Sequence, residues 1–365
     1  MSKRGLNIYH RKDGRYEGRY ADGYGENSKT KYRSIYGKTY SEVRDKLLQI
    51  KAKVTIPTTK SGLTVKELFT EWLSAKFTQT KASTYANYAF KVEKHLIPAF
   101  GSLKIEMLTP SKVYDFIMDK RNKGLSNKYI SDLIIVLKNM TRYASKVHRC
   151  VNAIADVELP KKEKHELDLY NKIEQSRLKS ALLKDMDITK LSVMLALYTG
   201  VRIGELCGLK WSDIDFTAKT VHIERTVQRI RTNGKAIRTK LIVSTPKSQS
   251  SVRTIPLPDF IVTMLKVFKP SNSDAYIVTG NAKFPDPRTM QYRFKALLTR
   301  AGLRTLNFHS LRHMFATNCV EVGFDVKTLS ELLGHSTVEI TLNRYVHSSM
   351  ERKRQCMDML SLDAT

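Results

Sequence analysis

Acidic residues are scarce in this chain: 35 aspartates and glutamates stand against 63 lysines and arginines in 365 residues, a net charge of +28. Cysteine is rare too. Cys150, Cys207, Cys319 and Cys356 are widely scattered and form no C-x-x-C pair, which argues against a disulfide framework and a cysteine zinc site. None of the nine histidines falls in an H-E-x-x-H or comparable ligand spacing, so no metal cofactor is expected. No run of about 18 apolar residues, signal-peptide core or lipidation signal is found, which sets a membrane partner aside and places the protein in the cytoplasm.

What is present is charge on an ordinary apolar background. The chain is 41% hydrophobic, ample for packed cores, and its length suits two or three domains. A pI near 9.9 on such a background points to a polyanionic partner, with nucleic acid the leading candidate.

Three segments follow. Residues 1–58 are polar and hold seven of the 17 tyrosines; tyrosines alternate with basic residues, predicting two or three exposed strands with turns in "ADGYGENS". Thr39 to Lys53 carries Val43, Leu47 and Ile50 at near-helical spacing, so a small sheet plus one helix is expected. Arg15, Arg19, Tyr20, Lys31 and Arg33 are the candidate DNA-contacting residues there. "VTIPTTKSG" reads as a linker.

Residues 63–158 read as an all-α bundle. Thr64 and Glu67 make a T-x-x-E capping box ahead of a Val65, Leu68, Phe69, Trp72 stripe. Further helices are predicted over Ser83 to His95, Ser111 to Lys123 and Ser126 to Val147. The first of these carries Lys81, Tyr85 and Lys91 on or near its exposed side, candidates for a DNA groove or backbone, against a plain solvated face. After the charged "LPKKEKHE" the pattern becomes mixed α and β over 166–365. "KTVHIERTVQRI" and "AIRTKLIVST" read as strands around "TNGK", "SVRTIPLP" as a further strand, and everything beyond Pro258 as mainly helical.

Four stretches of this last segment matter in combination: "TGVRIGELCGLKW", "TPKSQSSVRTIPL", "FHSLRHMFAT" and "LLGHSTVEITLNRYVH". Each alone is weak. Together and in this order they resemble the tyrosine recombinases, specifically the integrases of temperate phages and integrative mobile elements. The resemblance implies a multidomain protein: an N-terminal arm-type DNA-binding domain of small sheet plus helix, a helical core-binding (SAM-like) domain, and a mixed α+β, mainly helical catalytic domain with a C-terminal tail. It implies catalytic roles for Arg202, Lys247, His309, Arg312, His335 and Tyr345, with Glu205 supporting Arg202. His313 and His347 match no catalytic position and read as structural.

The residue types suit the chemistry. Exchanging strands without metal or ATP requires that a side chain hold the phosphodiester energy as an ester, and tyrosine can do so. Its phenol titrates near pH 10, so Tyr345 needs a base or nearby positive charge. Arg202 and Arg312 offer planar forks to the phosphate oxygens, Lys247 an acid for the leaving 5′ oxygen, His309 an acid/base group and His335 a hydrogen-bond donor.

The resemblance therefore implies a site-specific recombinase acting on double-stranded attachment sites as a homotetramer through a 3′-phosphotyrosine and a Holliday junction. A host DNA-bending protein and an excision or directionality factor are implied as partners. The last residues, with Met357, Met359, Leu360 and Leu362, are expected to pack on a neighbouring subunit or on their own domain. Alternatives are a type IB topoisomerase-like enzyme and a non-catalytic DNA-binding regulator.

Overall fold

The structure, a computed structural model, describes residues 7–24, 30–53, 62–161, 163, 168–232, 239–245, 249–345, 354 and 357–358. Two compact units are present: residues 1–79 with 91–163, and residues 80–90 with 164–365.

At the N-terminus β1 (Ile8–His10), β2 (Tyr16–Tyr24) and β3 (Thr30–Gly37) form an antiparallel sheet in the order β1-β2-β3, followed by α1 (Tyr40–Lys53). Val43 and Leu47 of α1 are fully buried, against the face that carries Gly18 and Gly37. The register pairs Tyr9 with Glu17 and Glu17 with Tyr36, and sets Arg19 opposite Ser34. These five residues therefore share the other face.

That face holds one buried acid. Glu17 accepts from Ser34 Oγ (2.6 Å), Arg19 Nε (3.0 Å) and Arg11 Nη1 (2.8 Å), and these bonds bring its carboxyl down to about 2. The register also divides the expected DNA-contacting residues between the two faces of the sheet. Tyr20 pairs with Arg33 on the α1 side of the sheet, so these two do not share a face with Arg19; a one-residue step along a strand reverses the side chain. Arg15 lies in the β1–β2 turn, bonded to Asp13, with its guanidinium 5.8 Å from the Tyr36 ring centroid. The Lys31 side chain, the Ile50 side chain, residues 25–28 of the expected turn and residues 54–61 of the expected linker lie outside the described structure.

The helical part comprises α2 (Val65–Gln79), α3 (Ala82–Lys91), a π-turn (Val92–Leu96), α4 (Ile97–Phe100), α5 (Pro110–Asn122) and α6 (Asn127–Val147). The capping box forms: Thr64 Oγ1 accepts from Glu67 N (3.2 Å) and Glu67 Oε2 from Thr64 N (2.7 Å). Ser126 caps α6, whose Ile130, Leu133, Ile134, Leu137 and Met140 are fully buried, as the 3.6-residue period demands.

The last part begins with α7 (Lys172–Leu183), α8 (Ile188–Thr199) and α9 (Ile203–Gly208). Helix α8 is apolar nearly all round and sits in the core: Leu191 and every residue from Val193 to Leu197 are buried. A sheet of β4 (Ile214–Asp215), β5 (Thr220–Ile223) and β8 (Arg253–Pro256) lies beside a hairpin of β6 (Thr226–Arg231) and β7 (Thr239–Ser244). The single strand expected over "KTVHIERTVQRI" is thus two strands in different sheets. The break falls at Glu224 and Arg225, where the Arg225 guanidinium turns to Asp213 and its Nε to the Gly208 carbonyl (3.4 Å). The hairpin register runs from Thr226↔Ser244 to Arg231↔Thr239; its expected Asn233-Gly234 turn lies outside the described residues. Helices α10 (Asp259–Phe268), α11 (Pro287–Arg300), α12 (His309–Glu321), α13 (Val326–Leu333) and α14 (Val338–Tyr345) complete the unit. Among the described residues, no helix is long and apolar enough to cross a membrane.

Candidate active site

The T-G-x-R stretch sits where α8 turns into α9. Gly200 ends α8 at φ 64°, and a Cβ there would lie 2.5 Å from Phe315 and 3.0 Å from Leu333. Both the left-handed backbone and the close packing require glycine. Arg202, two residues on, precedes the first turn of α9.

Glu205 joins two arginines. Its Oε1 accepts from Arg202 Nη1 (2.6 Å), and its Oε2 accepts from both Arg202 N (3.0 Å) and Arg253 Nη2 (2.9 Å). Glu205 is 2% exposed. Burial pushes its carboxyl up, but Arg253 and then Arg202 outweigh this and hold it below the usual range. It is therefore an anion at neutral pH, orienting Arg202 while the Arg202 side chain stays about one-third exposed (36%).

Helix α12 brings the H-x-L-R-H stretch together. His309 is exposed in the first turn; Arg312, one turn on, is buried. The buried ring of His313 packs edge-on to His309 with centroids 4.6 Å apart. Arg312 donates from Nη1 to the Gly200 carbonyl (2.8 Å) and from Nη2 to the Leu333 carbonyl (2.6 Å).

The end of α13 gathers these parts. Three consecutive carbonyls there each accept from a different arginine: Leu332 from Arg253 Nε (2.6 Å), Leu333 from Arg312 Nη2, and Gly334 from Arg202 Nη2 (3.3 Å). A helix C-terminus leaves its last carbonyls unpaired and carries partial negative charge, so it is a natural anchor for guanidinium groups. Gly334 closes the helix at φ 63°, where a Cβ would stand 3.0 Å from the Ser250 carbonyl and 3.1 Å from the Arg253 side chain. His335 follows at once. Its Nδ1 lies 2.8 Å from the hydroxyl of Thr341, a residue with no exposed surface, and it lines a cleft of about 340 Å³ with Ser250, Lys327 and Val338. Tyr345 is the last residue of α14, one turn after Thr341.

Of the candidates read from the motifs, Arg202, Glu205, Arg312 and His335 are thus tied to one another through α13, and His309 stands one helical turn from Arg312. Lys247, residues 359–365 of the tail and His347 lie outside the described residues, as does the Tyr345 side chain. Sequence reasoning missed Arg253 and Thr341. Arg253 is the arginine of the quoted "SVRTIPL", and Thr341 precedes Tyr345 by the four residues that put two positions on one helix face.

Among the helical DNA-contact candidates, Lys81 is exposed and Tyr85 half-buried, but Lys91 is not at the surface. It is 6% exposed, its Nζ bonds Asp132 at 3.3 Å, and it lies 5.7 Å from the Tyr129 ring centroid. A buried lysine needs such partners. It is a packing residue of the bundle.

Comparison with known proteins agrees with the four motifs. Residues 168–352 match the phage integrase family, and residues 64–121 the N-terminal SAM-like domain of phage integrases. A tyrosine recombinase XerC-like protein of Caldanaerobacter subterraneus subsp. tengcongensis is 27% identical, covering 92% of this chain and 93% of that one. The ICEBs1 integrase of Bacillus subtilis is 22% identical, covering 80% and 81%. Among solved structures, the Tn1549 transposon integrase in complex with a circular intermediate DNA superposes with a TM-score of 0.68 at 23% identity, covering 82% of this chain and all of that one. The lambda integrase tetramer bound to a Holliday junction does so with a TM-score of 0.58 at 17% identity, covering 96% and 99%. These superpositions establish an integrase-like fold, with a SAM-like helical domain and a mainly helical catalytic domain carrying small sheets. The chain belongs to the phage integrase family and is a tyrosine site-specific recombinase.

Proposed function

We propose that this recombinase cuts and rejoins two DNA duplexes through a 3′-phosphotyrosine intermediate and a Holliday junction, integrating and excising a mobile element. The observation that carries the reading is the anchoring of Arg202, Arg312 and His335 to a single helix end, with Tyr345 closing the next helix. In the first step the Tyr345 phenolic oxygen bonds to phosphorus as the bond to the 5′ oxygen breaks. The phenol proton passes to His309, and the departing 5′ oxygen gains a proton from Lys247.

Arg202 and Arg312 stabilise the negative charge that grows on the non-bridging oxygens, and His335 donates a further hydrogen bond. No metal ion or ATP is called for: the guanidinium groups supply the positive charge, and the phosphotyrosine conserves the bond energy. The net charge of +28 favours duplex DNA as the partner. The Tn1549 relative was solved with a circular intermediate DNA and the lambda relative as a tetramer on a Holliday junction; by likeness this chain acts as a homotetramer on attachment sites, aided by a host bending protein and a directionality factor.

The test is incubation of the purified chain with a nicked duplex carrying the element's junction sequence, without added metal, followed by a denaturing gel. A covalent 3′-linked protein–DNA band that disappears in Tyr345→Phe is expected. Tight binding of that duplex without any covalent band would favour a non-catalytic DNA-binding regulator.

A further inference from the structure

His335 is fixed from behind by Thr341, to which the resemblance assigns no catalytic role. Its Nδ1 and the Thr341 hydroxyl are 2.8 Å apart, and Thr341 has no exposed surface. The His335 backbone N–H is held separately, by the Ser330 carbonyl at 3.1 Å. The ring thus hangs between two elements: its backbone belongs to the end of α13 and its Nδ1 to the second turn of α14. Helix α14 is short, eight residues, and Tyr345 ends it.

We propose that Thr341 is a positioning residue for strand transfer: its hydroxyl donates to His335 Nδ1, placing the ring's proton on Nε2, and the same bond docks the helix that carries Tyr345. The inference rests on the reading of His335 as a phosphate hydrogen-bond donor. A neutral imidazole has one N–H, and the bond made by one nitrogen decides which nitrogen carries it. With Thr341 donating, the donor is Nε2. A hydroxyl suits this task because it is neutral and leaves the ring uncharged, whereas a carboxylate would favour the Nδ1–H form. The i to i+4 step from Thr341 to Tyr345 puts both residues on one face of α14. One hydrogen bond therefore sets both the orientation of the donor and the seating of the nucleophile's helix.

The experiment compares the full chain with Thr341→Val, which keeps shape and branching but cannot donate, and with Thr341→Ser, which keeps the hydroxyl. Two readouts are taken. The first is the imidazole nitrogen spectrum of 15N-histidine-labelled protein near pH 8, with His335 assigned through His335→Gln. The second is single-turnover covalent capture of the nicked junction duplex. Wild type and Thr341→Ser are expected to show His335 protonated on Nε2, and Thr341→Val a mixture of tautomers. Capture is expected to fall about 10- to 100-fold in Thr341→Val, by analogy with the loss of a group that orients a metal-ligating histidine, and to return in Thr341→Ser with duplex binding unchanged throughout. An Nδ1–H tautomer in wild type, or a Thr341→Ser variant as impaired as Thr341→Val, would overturn the proposal. A wild-type chain that captures no DNA would count against the phosphotyrosine chemistry alone, since the tautomer spectrum still decides the role of Thr341.

Discussion

Arg312 holds the carbonyl of Leu333 at 2.6 Å, and on its other side the carbonyl of Gly200 at 2.8 Å. A residue whose motif position suggests phosphate binding is therefore also a bolt between the end of α8 and the end of α13. Arg202 differs: its partner Glu205 is buried, but its own side chain is about one-third exposed.

The two arginines should consequently respond differently to replacement by lysine. Arg312→Lys leaves at least one buried carbonyl without a donor, a loss of about 1–3 kcal/mol, so the melting temperature should drop together with covalent capture. Arg202→Lys keeps a positive charge beside Glu205, which Arg253 also holds, and should cost less stability than Arg312→Lys, while capture still falls by about 10²- to 10³-fold. Calorimetry and the denaturing gel on the same preparations check this. Equal losses of stability would show that Arg312 is not the structural bolt described.

Acid should loosen the N-terminal sheet through Glu17. Its folded carboxyl lies at about 2 against an ordinary value of 4.5, so its protonation is linked to folding. The depressed value means that its stabilising contribution is complete above pH 4.5 and is lost as the pH falls toward 2. The protection of the Arg19 and Tyr36 amides in the full chain, taken relative to their intrinsic exchange at each pH, should fall over that window. In Glu17→Gln the same amides should be less protected at neutral pH and their protection should change little with acid; a wild-type profile in the variant would remove Glu17 from the account.

Lys81 and Lys91 should separate in a salt titration of duplex binding. Each lysine that neutralises a phosphate adds about 0.9 to the slope of log affinity against log salt. Lys81→Ala should lower the slope by about that amount. Lys91→Ala should leave it unchanged and instead lower the melting temperature, because Asp132 loses its partner. A reduced slope in Lys91→Ala would restore it to the DNA-contacting set.

Much of the fold was legible because its signals are local. Thr64 and Glu67 announce a helix start within four residues, and the apolar positions of 126–147 repeat at 3.6 residues over six turns. The active-site motifs are legible as types and spacings. What stayed hidden depends on partners far along the chain. Lys91 looks like a surface lysine until Asp132, 41 residues on, is brought beside it. Arg253 looks like one more basic residue of a basic chain, and only folding sets it between Glu205 and the end of α13, 48 and 79 residues away. The break at Glu224 and Arg225 has the same origin, since a β-branched run reads as one strand unless the pull of Asp213 on Arg225 is known.

The anchorage at the end of α13 consists of main-chain oxygens. Leu332, Leu333 and Gly334 present those oxygens whatever their side chains are, provided the helix ends in the same left-handed turn. Amino-acid replacement at Leu332 is thus answerable to packing alone, and the two leucines can diverge between related recombinases without disturbing the arginines. Transplanting this segment from a relative should succeed wherever the glycine and the helix length are kept, which makes the joint a tolerant place to splice chimaeric recombinases.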